Sequence, residues 1–254
     1  ATKVAEEQGG GILVITEGVF GMRGMQGKIK EICELKSKFN FRLLVDDAHG
    51  FGTLGKTGAG AGEEQGCQDQ IDVYFSTFAK SMAGFGAFIA GDADIIRILK
   101  YNLRSQVFAK SLTMPMVIGG LKRLELLRSR PEIKAKLWEN VNKLQNGLIE
   151  RGFNIGGTDT CVTPVMMQGS TVEATLLVKD LRENYGIFTS VVIYPVIPKG
   201  MILLRLIPTA SHTDAEINET LDAFDAIHDK LTSGFYKEQE QKLLEEKGLS
   251  FKST

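Results

Sequence analysis

Short apolar runs alternate with amphipathic segments through the first half of the chain. The runs at residues 12–16 and 42–46 predict buried strands, and residues 28–40 carry apolar positions at near-helical spacing. Two further runs, at residues 71–78 and 87–91, predict a third and a fourth strand. Strands interleaved with helices are typical of a mainly parallel sheet covered by helices on both faces. We therefore expect an α/β fold whose ligands bind beyond the carboxyl ends of the strands.

The second half has a different texture. Residues 92–152 have a helical pattern interrupted at Pro115 and Pro131, with an apolar stripe on one long helix. The remainder predicts an α+β arrangement with strands at 163–168, 187–193 and 202–206 and helices at 172–184 and 214–231. We expect the rest of a large domain over residues 1–152, a small domain over 153–232, and a charged tail over 233–254 whose residues 237–247 are helical.

Composition narrows the class of protein. The 254 residues include 30 Lys and Arg against 31 Asp and Glu, a net charge of −1, which removes the usual electrostatic case for a nucleic-acid binder. No apolar run approaches the roughly 20 residues of a membrane helix, and the first ten residues have no signal-peptide pattern. We expect a cytoplasmic protein without an integral membrane segment.

Cysteine and histidine spacing gives no metal or redox motif. Cys33, Cys67 and Cys161 lie far apart, so we expect reduced thiols and no structural zinc site. Thr213, with Glu216 three residues on, forms the capping-box pattern of the last long helix, which gives this segment a structural explanation.

Residues 50–57 (GFGTLGKT) match the phosphate-loop pattern G-x-x-x-x-G-K-[ST] literally. The pattern requires a helix to start at the Lys-Thr pair, yet the chain continues with alternating glycines, which disfavour a helix. Asp46 and Asp47 also precede the loop, where phosphates would meet negative charge. A nucleotide hydrolase is therefore kept as an alternative reading.

Two strand ends carry a better candidate chemistry. Asp46 and His49 follow one strand, and Thr77 and Lys80 follow the next, with glycines just beyond. A lysine in a glycine-flanked turn can lose solvation and become a nucleophile, and a carboxylate can keep a heterocyclic nitrogen protonated. A Schiff-base lysine and an acid partner for the ring nitrogen are what pyridoxal 5'-phosphate requires.

Four segments resemble a known family, the α-oxoamine synthases, in the order that the family has them. They are ITEGVFGMRG, VDDAHGFGTLGKTGAG, STFAKSMAGFGAFIAG and YPVIPKGMILLRLIPTASHT, within roughly residues 10–232. The resemblance implies fold type I, in which the mainly parallel sheet of a large domain is joined to a C-terminal α+β small domain. Glycine C-acetyltransferase (2-amino-3-ketobutyrate CoA ligase) and serine palmitoyltransferase are the most similar members.

The resemblance also implies roles for five residues. Lys80 matches the Schiff-base lysine, Asp46 the partner of the pyridine nitrogen, and His49 the histidine at the cofactor's 3-hydroxyl. Thr77 matches the hydroxyl at the cofactor phosphate, and Arg205 the arginine that holds the amino-acid carboxylate. The implied reaction joins glycine or serine to an acyl-CoA and releases CoA, and the implied assembly is a homodimer with neither nucleic acid nor metal.

The match has departures. We expect about a third of a typical member to be absent on the amino side, so the fragment alone could be inactive. Gly21 stands where the family commonly has serine, and Ala109 where many members have a hydroxyl that reaches the phosphate, which leaves the phosphate contacts open. A non-catalytic fragment or partner of the same fold is the other alternative.

Overall fold

The computed structural model describes residues 1–246. They divide into two compact units, the first over Ala1–Ala135 and the second beginning at Lys136. The strands are β1 (Leu13–Glu17), β2 (Val19–Phe20), β3 (Met25–Gln26), β4 (Arg42–Asp46), β5 (Val73–Thr77), β6 (Ala87–Gly91), β7 (Thr163–Gln168), β8 (Ser190–Val192) and β9 (Met201–Leu206). The helices are α1 (Thr2–Gln8), α2 (Ile29–Glu34), α3 (Ala61–Glu64), α4 (Ala93–Asn102), α5 (Arg104–Val107), α6 (Met114–Ser129), α7 (Pro131–Glu150), α8 (Thr171–Asn184), α9 (Asp214–Thr232) and α10 (Phe235–Glu246).

The first unit contains a four-stranded sheet in the order β1-β4-β5-β6. Strands β1, β4 and β5 are parallel, as the interleaving of strands and helices predicts. Strand β6 runs antiparallel to β5 because a short turn, with no crossover helix, joins the two. A two-stranded β2-β3 ribbon follows β1.

The two faces of this sheet differ in burial. Leu43 and Val45 are fully buried on one face, whereas Leu13 and Ile15 on the opposite face are 53% and 65% exposed. Because successive strand residues point to opposite faces, neighbouring positions meet different environments. Within residues 1–246, the face of β1 that carries Leu13 and Ile15 is therefore the open face of the sheet.

The second unit has the predicted α+β arrangement. Its antiparallel sheet has the order β7-β9-β8, and its core packs this sheet against α7, α8 and α9. The predicted apolar stripe of the long helix is confirmed, since Val141, Leu144 and Leu148 are buried on α7. The domain boundary after residue 152 stays a proposal.

Local signals fix several helix ends. Thr213 and Glu216 form the predicted capping box of α9, with Thr213 N donating to Glu216 Oε2 at 2.7 Å. The predicted helix over residues 28–40 is shorter than expected, because α2 ends at Glu34 and only a 3-10 turn, Leu35–Ser37, follows. Helix α10 covers most of the predicted tail helix, and the rest of the tail lies outside the described residues. Within residues 1–246, no helix has the length and apolar character to cross a membrane.

Candidate active site

Asp46 is the last residue of β4, at the carboxyl end of a parallel strand. It lies opposite Glu17 of β1 and Phe75 of β5 in the register of the sheet. Its Oδ1 accepts a hydrogen bond from the Ala48 amide at 3.0 Å, and its carbonyl accepts one from the Gly18 amide at 2.7 Å. The half-buried carboxylate is therefore held at the sheet edge where ligands of such folds bind.

His49 stands three residues further along the same strand end. Its ring packs directly on Gly21, because a Cβ atom built on Gly21 would lie 2.2 Å from His49 Nε2. The hydroxyl of Thr53 donates to the His49 carbonyl at 3.0 Å. The glycine that departs from the family pattern therefore provides the space that the imidazole fills.

Lys80 lies in a tight turn between β5 and β6. The Lys80 carbonyl accepts from the Ala83 amide at 2.9 Å, and the Gly84 amide donates to the Phe78 carbonyl at 2.7 Å. Ala83 has a φ of +42°, a left-handed conformation that residues other than glycine rarely adopt. The side chain of Lys80 is exposed in the described part of the chain, and its expected loss of solvation stays a prediction for the full-length protein.

Thr77, the last residue of β5, shares a face of the sheet with Asp46. In the register Asp46 is opposite Phe75, and Thr77 is two residues beyond, so both side chains point the same way. The Thr77 hydroxyl donates to the Gly86 carbonyl at 3.0 Å and accepts from the Ala79 amide at 3.1 Å. Because a hydroxyl has a single proton, donation from Thr77 to a phosphate requires the bond to Gly86 to break.

Asp47 has an environment opposite to that of Asp46. It is fully buried, and its Oδ2 accepts from the Ala61 amide and from the Tyr74 hydroxyl, each at 2.8 Å. Burial raises the pKa of Asp47 to about 6, although these two hydrogen bonds act in the other direction. Asp47 has no predicted role at the site, and the alternation of side chains along the strand places it on the face opposite to Asp46.

The segment that matches the phosphate-loop pattern lacks the free backbone amides and the helix start that phosphate binding requires. The loop amides that would bind a phosphate already donate to carboxylates: Thr57 N to Glu63 at 3.0 Å, Ala59 N to Glu63 at 3.1 Å, and Gly55 N to Glu64 at 2.8 Å. The bonds from Ala59 and Thr57 hold the pKa of Glu63 below its usual value, although partial burial acts in the other direction. The helix that follows is the four-residue α3, which begins after the glycines and not at the Lys-Thr pair.

Arg205 belongs to the second unit. It lies on β9, the central strand of the antiparallel sheet, opposite Pro164 of β7 and Ser190 of β8. The Thr189 hydroxyl donates to its carbonyl at 3.1 Å. After β9, the buried Asn140 of α7 donates to the carbonyls of Thr209 (2.9 Å) and His212 (2.8 Å), which fastens the segment that follows the arginine.

Comparison with known proteins agrees with this architecture. The aminotransferase class I and II family matches residues 1–224. Cysteate-C-fatty acyltransferase of Capnocytophaga ochracea is 66% identical over 98% of this chain and 59% of the relative. Serine palmitoyltransferase of Sphingobacterium spiritivorum is 36% identical over 83% of this chain and 52% of the relative. The chain thus spans between half and three fifths of the length of these two relatives.

Solved structures show the same fold. The structure of SPT with PLP internal aldimine superposes with a TM-score of 0.81 at 30% identity, over 86% of this chain and 55% of that one. The expected fold type I architecture and the resemblance to the α-oxoamine synthases are thereby confirmed. This chain belongs to the aminotransferase class I and II family.

Proposed function

We propose that this chain is part of a pyridoxal-phosphate-dependent acyltransferase that joins a small amino acid to an acyl-CoA and releases CoA. The observation that carries the proposal is the meeting of two strand ends. Asp46 ends β4, Lys80 follows the adjacent parallel strand β5, and the two strands are paired at Asp46 and Phe75. The names of the relatives, cysteate-C-fatty acyltransferase and serine palmitoyltransferase, support the same reaction class.

The donor set fits pyridoxal phosphate. Asp46 offers a carboxylate at the edge of the sheet for the pyridine nitrogen, His49 an imidazole seated on Gly21, and Lys80 a primary amine exposed in its turn. Thr77 can join the phosphate contacts only by exchanging its bond to Gly86.

When bound, the cofactor supplies an electron sink for a negative charge at the substrate's α-carbon. In the proposed reaction the Lys80 amine removes the proton from that carbon. Asp46 keeps the ring nitrogen protonated, and Arg205 holds the substrate carboxylate through its planar guanidinium fork. The α-carbon then attacks the thioester carbonyl carbon, a C–C bond forms, and the C–S bond to CoA breaks.

For the amino acid, we propose cysteate ahead of the serine or glycine that the resemblance suggests. The cysteate-C-fatty acyltransferase is 66% identical to this chain over 98% of its length, against 36% identity over 83% for the serine palmitoyltransferase. We also propose a fatty acyl-CoA as the second substrate, a cytoplasmic location and a homodimer.

The proposal is tested with the full-length protein and the substitution Lys80→Ala. We expect loss of the visible absorption band of the bound cofactor that borohydride bleaches, and loss of CoA release from a fatty acyl-CoA with cysteate, serine or glycine. Lys56→Ala is the matched control, because Lys56 is another exposed loop lysine and the one that the phosphate-loop reading requires.

The outcomes separate the alternatives. Normal turnover by Lys80→Ala would remove the assignment, and absence of the absorption band from the unmodified full-length protein would favour a non-catalytic relative of the same fold. Loss of activity in Lys56→Ala alone, together with magnesium-dependent nucleotide binding, would favour the nucleotide hydrolase instead.

A further inference from the structure

The buried carboxylate of Asp47 joins segments that are distant in sequence. Three glycines pack on it so closely that a Cβ atom on Gly18, Gly50 or Gly60 would lie 2.0, 2.1 or 1.9 Å from a carboxylate oxygen. Gly18 follows β1, Gly50 begins the loop after β4, and Gly60 ends that loop. The carboxylate therefore lies against the backbone of three segments. A residue larger than glycine at any of these three positions would overlap it.

Hydrogen bonds fasten the far end of the loop to the same group. Asp47 Oδ2 accepts from the Ala61 amide, and Tyr74 on the neighbouring strand lies within reach of both Asp47 Oδ2 (2.8 Å) and the Ala59 carbonyl (3.2 Å). The single hydroxyl proton of Tyr74 can serve one of these acceptors at a time. Asp47 Oδ1 has no hydrogen-bond partner within residues 1–246.

The fastened loop reaches the residues of the proposed site at two points. His49 lies at its beginning, between Asp47 and Gly50. Near its start, Gly52, with a φ of +83°, packs against the residue after Lys80, since a Cβ atom there would lie 2.5 Å from Ser81 Oγ. A loop released from Asp47 would therefore free both the imidazole and the lysine turn.

We propose that Asp47, with Tyr74, is a positioning residue that fastens the loop of residues 50–60 and thereby holds His49 and the Lys80 turn at the cofactor. This inference rests on the proposed function, because His49 and Lys80 are its cofactor residues. Asp47 acts through the loop and, facing the side of the sheet opposite to Asp46, touches neither cofactor nor substrate.

The protonation of Asp47 should make the stability of the attached loop depend on pH. Two titratable groups act on Asp47: Tyr74 of β5, whose hydroxyl contacts it, and Asp46, whose charge acts from the other side of the strand. The three glycines that contact Asp47 add no charged side chain. Burial raises the pKa of Asp47 from 3.8 to about 6 when the loop is fastened. A fastened loop therefore takes up a proton, and opening becomes easier as the pH rises from 5 to 7, by about tenfold.

The experiment measures hydrogen exchange of peptides covering residues 50–61 in the full-length protein, corrected for intrinsic exchange, together with pyridoxal phosphate affinity by titration of the apoprotein. Asp47→Asn retains an acceptor oxygen and removes the charge, so we expect a protected loop whose protection no longer changes between pH 5 and 7. Asp47→Ala removes the acceptor, so we expect loss of loop protection and a Kd for pyridoxal phosphate raised by about tenfold or more.

Two further variants keep the test decisive. Tyr74→Phe removes only the hydroxyl and should weaken loop protection and cofactor binding in the same direction as Asp47→Ala, which covers the case in which the alanine variant fails to fold. Asp69→Asn is the control, because Asp69 is exposed on the same unit and should change neither readout.

Each result decides for or against the proposal. Unchanged pyridoxal phosphate affinity in Asp47→Ala and Tyr74→Phe, or loop protection that keeps its pH dependence in Asp47→Asn, would overturn the role of Asp47 while leaving the proposed function intact. If the unmodified protein binds no pyridoxal phosphate, the proposed function and the positioning role both fail, and pH-dependent loop protection would then describe a structural contact alone.

Discussion

Asp46 and Asp47 are the same residue type in adjacent positions, and the fold gives them different tasks. Asp46 points to the half-exposed face at the strand end, whereas Asp47 points to the opposite face and is fully buried. The cause is the alternation of side chains along a strand, which separates two neighbours by the thickness of the sheet. A pair of identical residues therefore supplies one candidate ligand for the cofactor and one anchor for the loop.

Gly21 determines where His49 stands. We expect Gly21→Ser to lower the free energy of unfolding by roughly 1–3 kcal/mol, because the new side chain would overlap the imidazole. The ring must move, so pyridoxal phosphate affinity should also fall. Urea denaturation and cofactor titration of the full-length protein measure the two effects.

Gly10→Ser is the control for this substitution, since a Cβ atom there has nothing within 4 Å. We expect its effect on stability to stay within about 0.5 kcal/mol. Equal stability and equal cofactor affinity in Gly21→Ser and Gly10→Ser would show that the imidazole does not need the space at position 21.

At the scale of elements, local hydrogen bonds determine where a helix begins, whereas tertiary contacts determine how long it is. The capping boxes of α8 and α9 join each cap residue to the glutamate three residues on, and both patterns can be read from the sequence. The end of α2 cannot be read in this way, because the apolar spacing continues to Phe39, which is 48% exposed. Apolar periodicity identifies the side of a helix that can be buried. Tertiary packing decides how many turns of the helix form along that side.

The capping box of α9 offers a test at this scale. Thr213→Ala removes the hydroxyl that accepts from Glu216 N, so we expect the first turn of α9 to lose about 1 kcal/mol of local stability. Hydrogen exchange of the first-turn amides in the full-length protein should become about fivefold faster. Thr175→Ala, at an exposed position within α8, is the control and should hardly change the exchange of the α9 amides. Equal acceleration of these amides in both variants would contradict the role of the cap.

At the scale of the whole molecule, two buried aspartates respond to pH in opposite ways. In the first unit, the raised pKa of Asp47, about 6, means that its contribution is present below about pH 4 and is lost as the pH rises through 6. In the second unit, Asp180 is partly desolvated, but Asn184, Lys230 and Tyr236 bind it and hold its pKa below the usual value. Its contribution is present above about pH 4 and is lost as the pH falls through the lowered pKa.

We therefore expect each aspartate to shape a different part of the stability curve. Asp47→Asn should remove a decline of at most about 3 kcal/mol in the free energy of unfolding between pH 4 and 7. Asp180→Asn should flatten the fall below pH 4 and leave the neutral range without a new slope. Urea denaturation of the full-length protein over a pH series compares the slopes, and a curve unchanged in shape by Asp47→Asn would contradict the assignment.

The sequence by itself determined the elements and the family. Four of the first unit's strands, the long helices of the second unit and the capping box follow from apolar periodicity and local hydrogen bonding, which act over a few residues. Ordered motifs also identified the candidate residues Asp46, His49, Thr77, Lys80 and Arg205. The roles of these residues stay proposals.

Only the tertiary structure decided what each candidate group contacts. In the structure, the amides of the phosphate-loop segment donate to Glu63 and Glu64. Lys80 is exposed, and Asp47 is buried in contact with three glycines. The tertiary structure also reversed β6, since the direction of a strand follows from its connection and not from its composition. These outcomes depend on contacts between segments distant along the chain, and no local pattern of residues encodes which segments will meet.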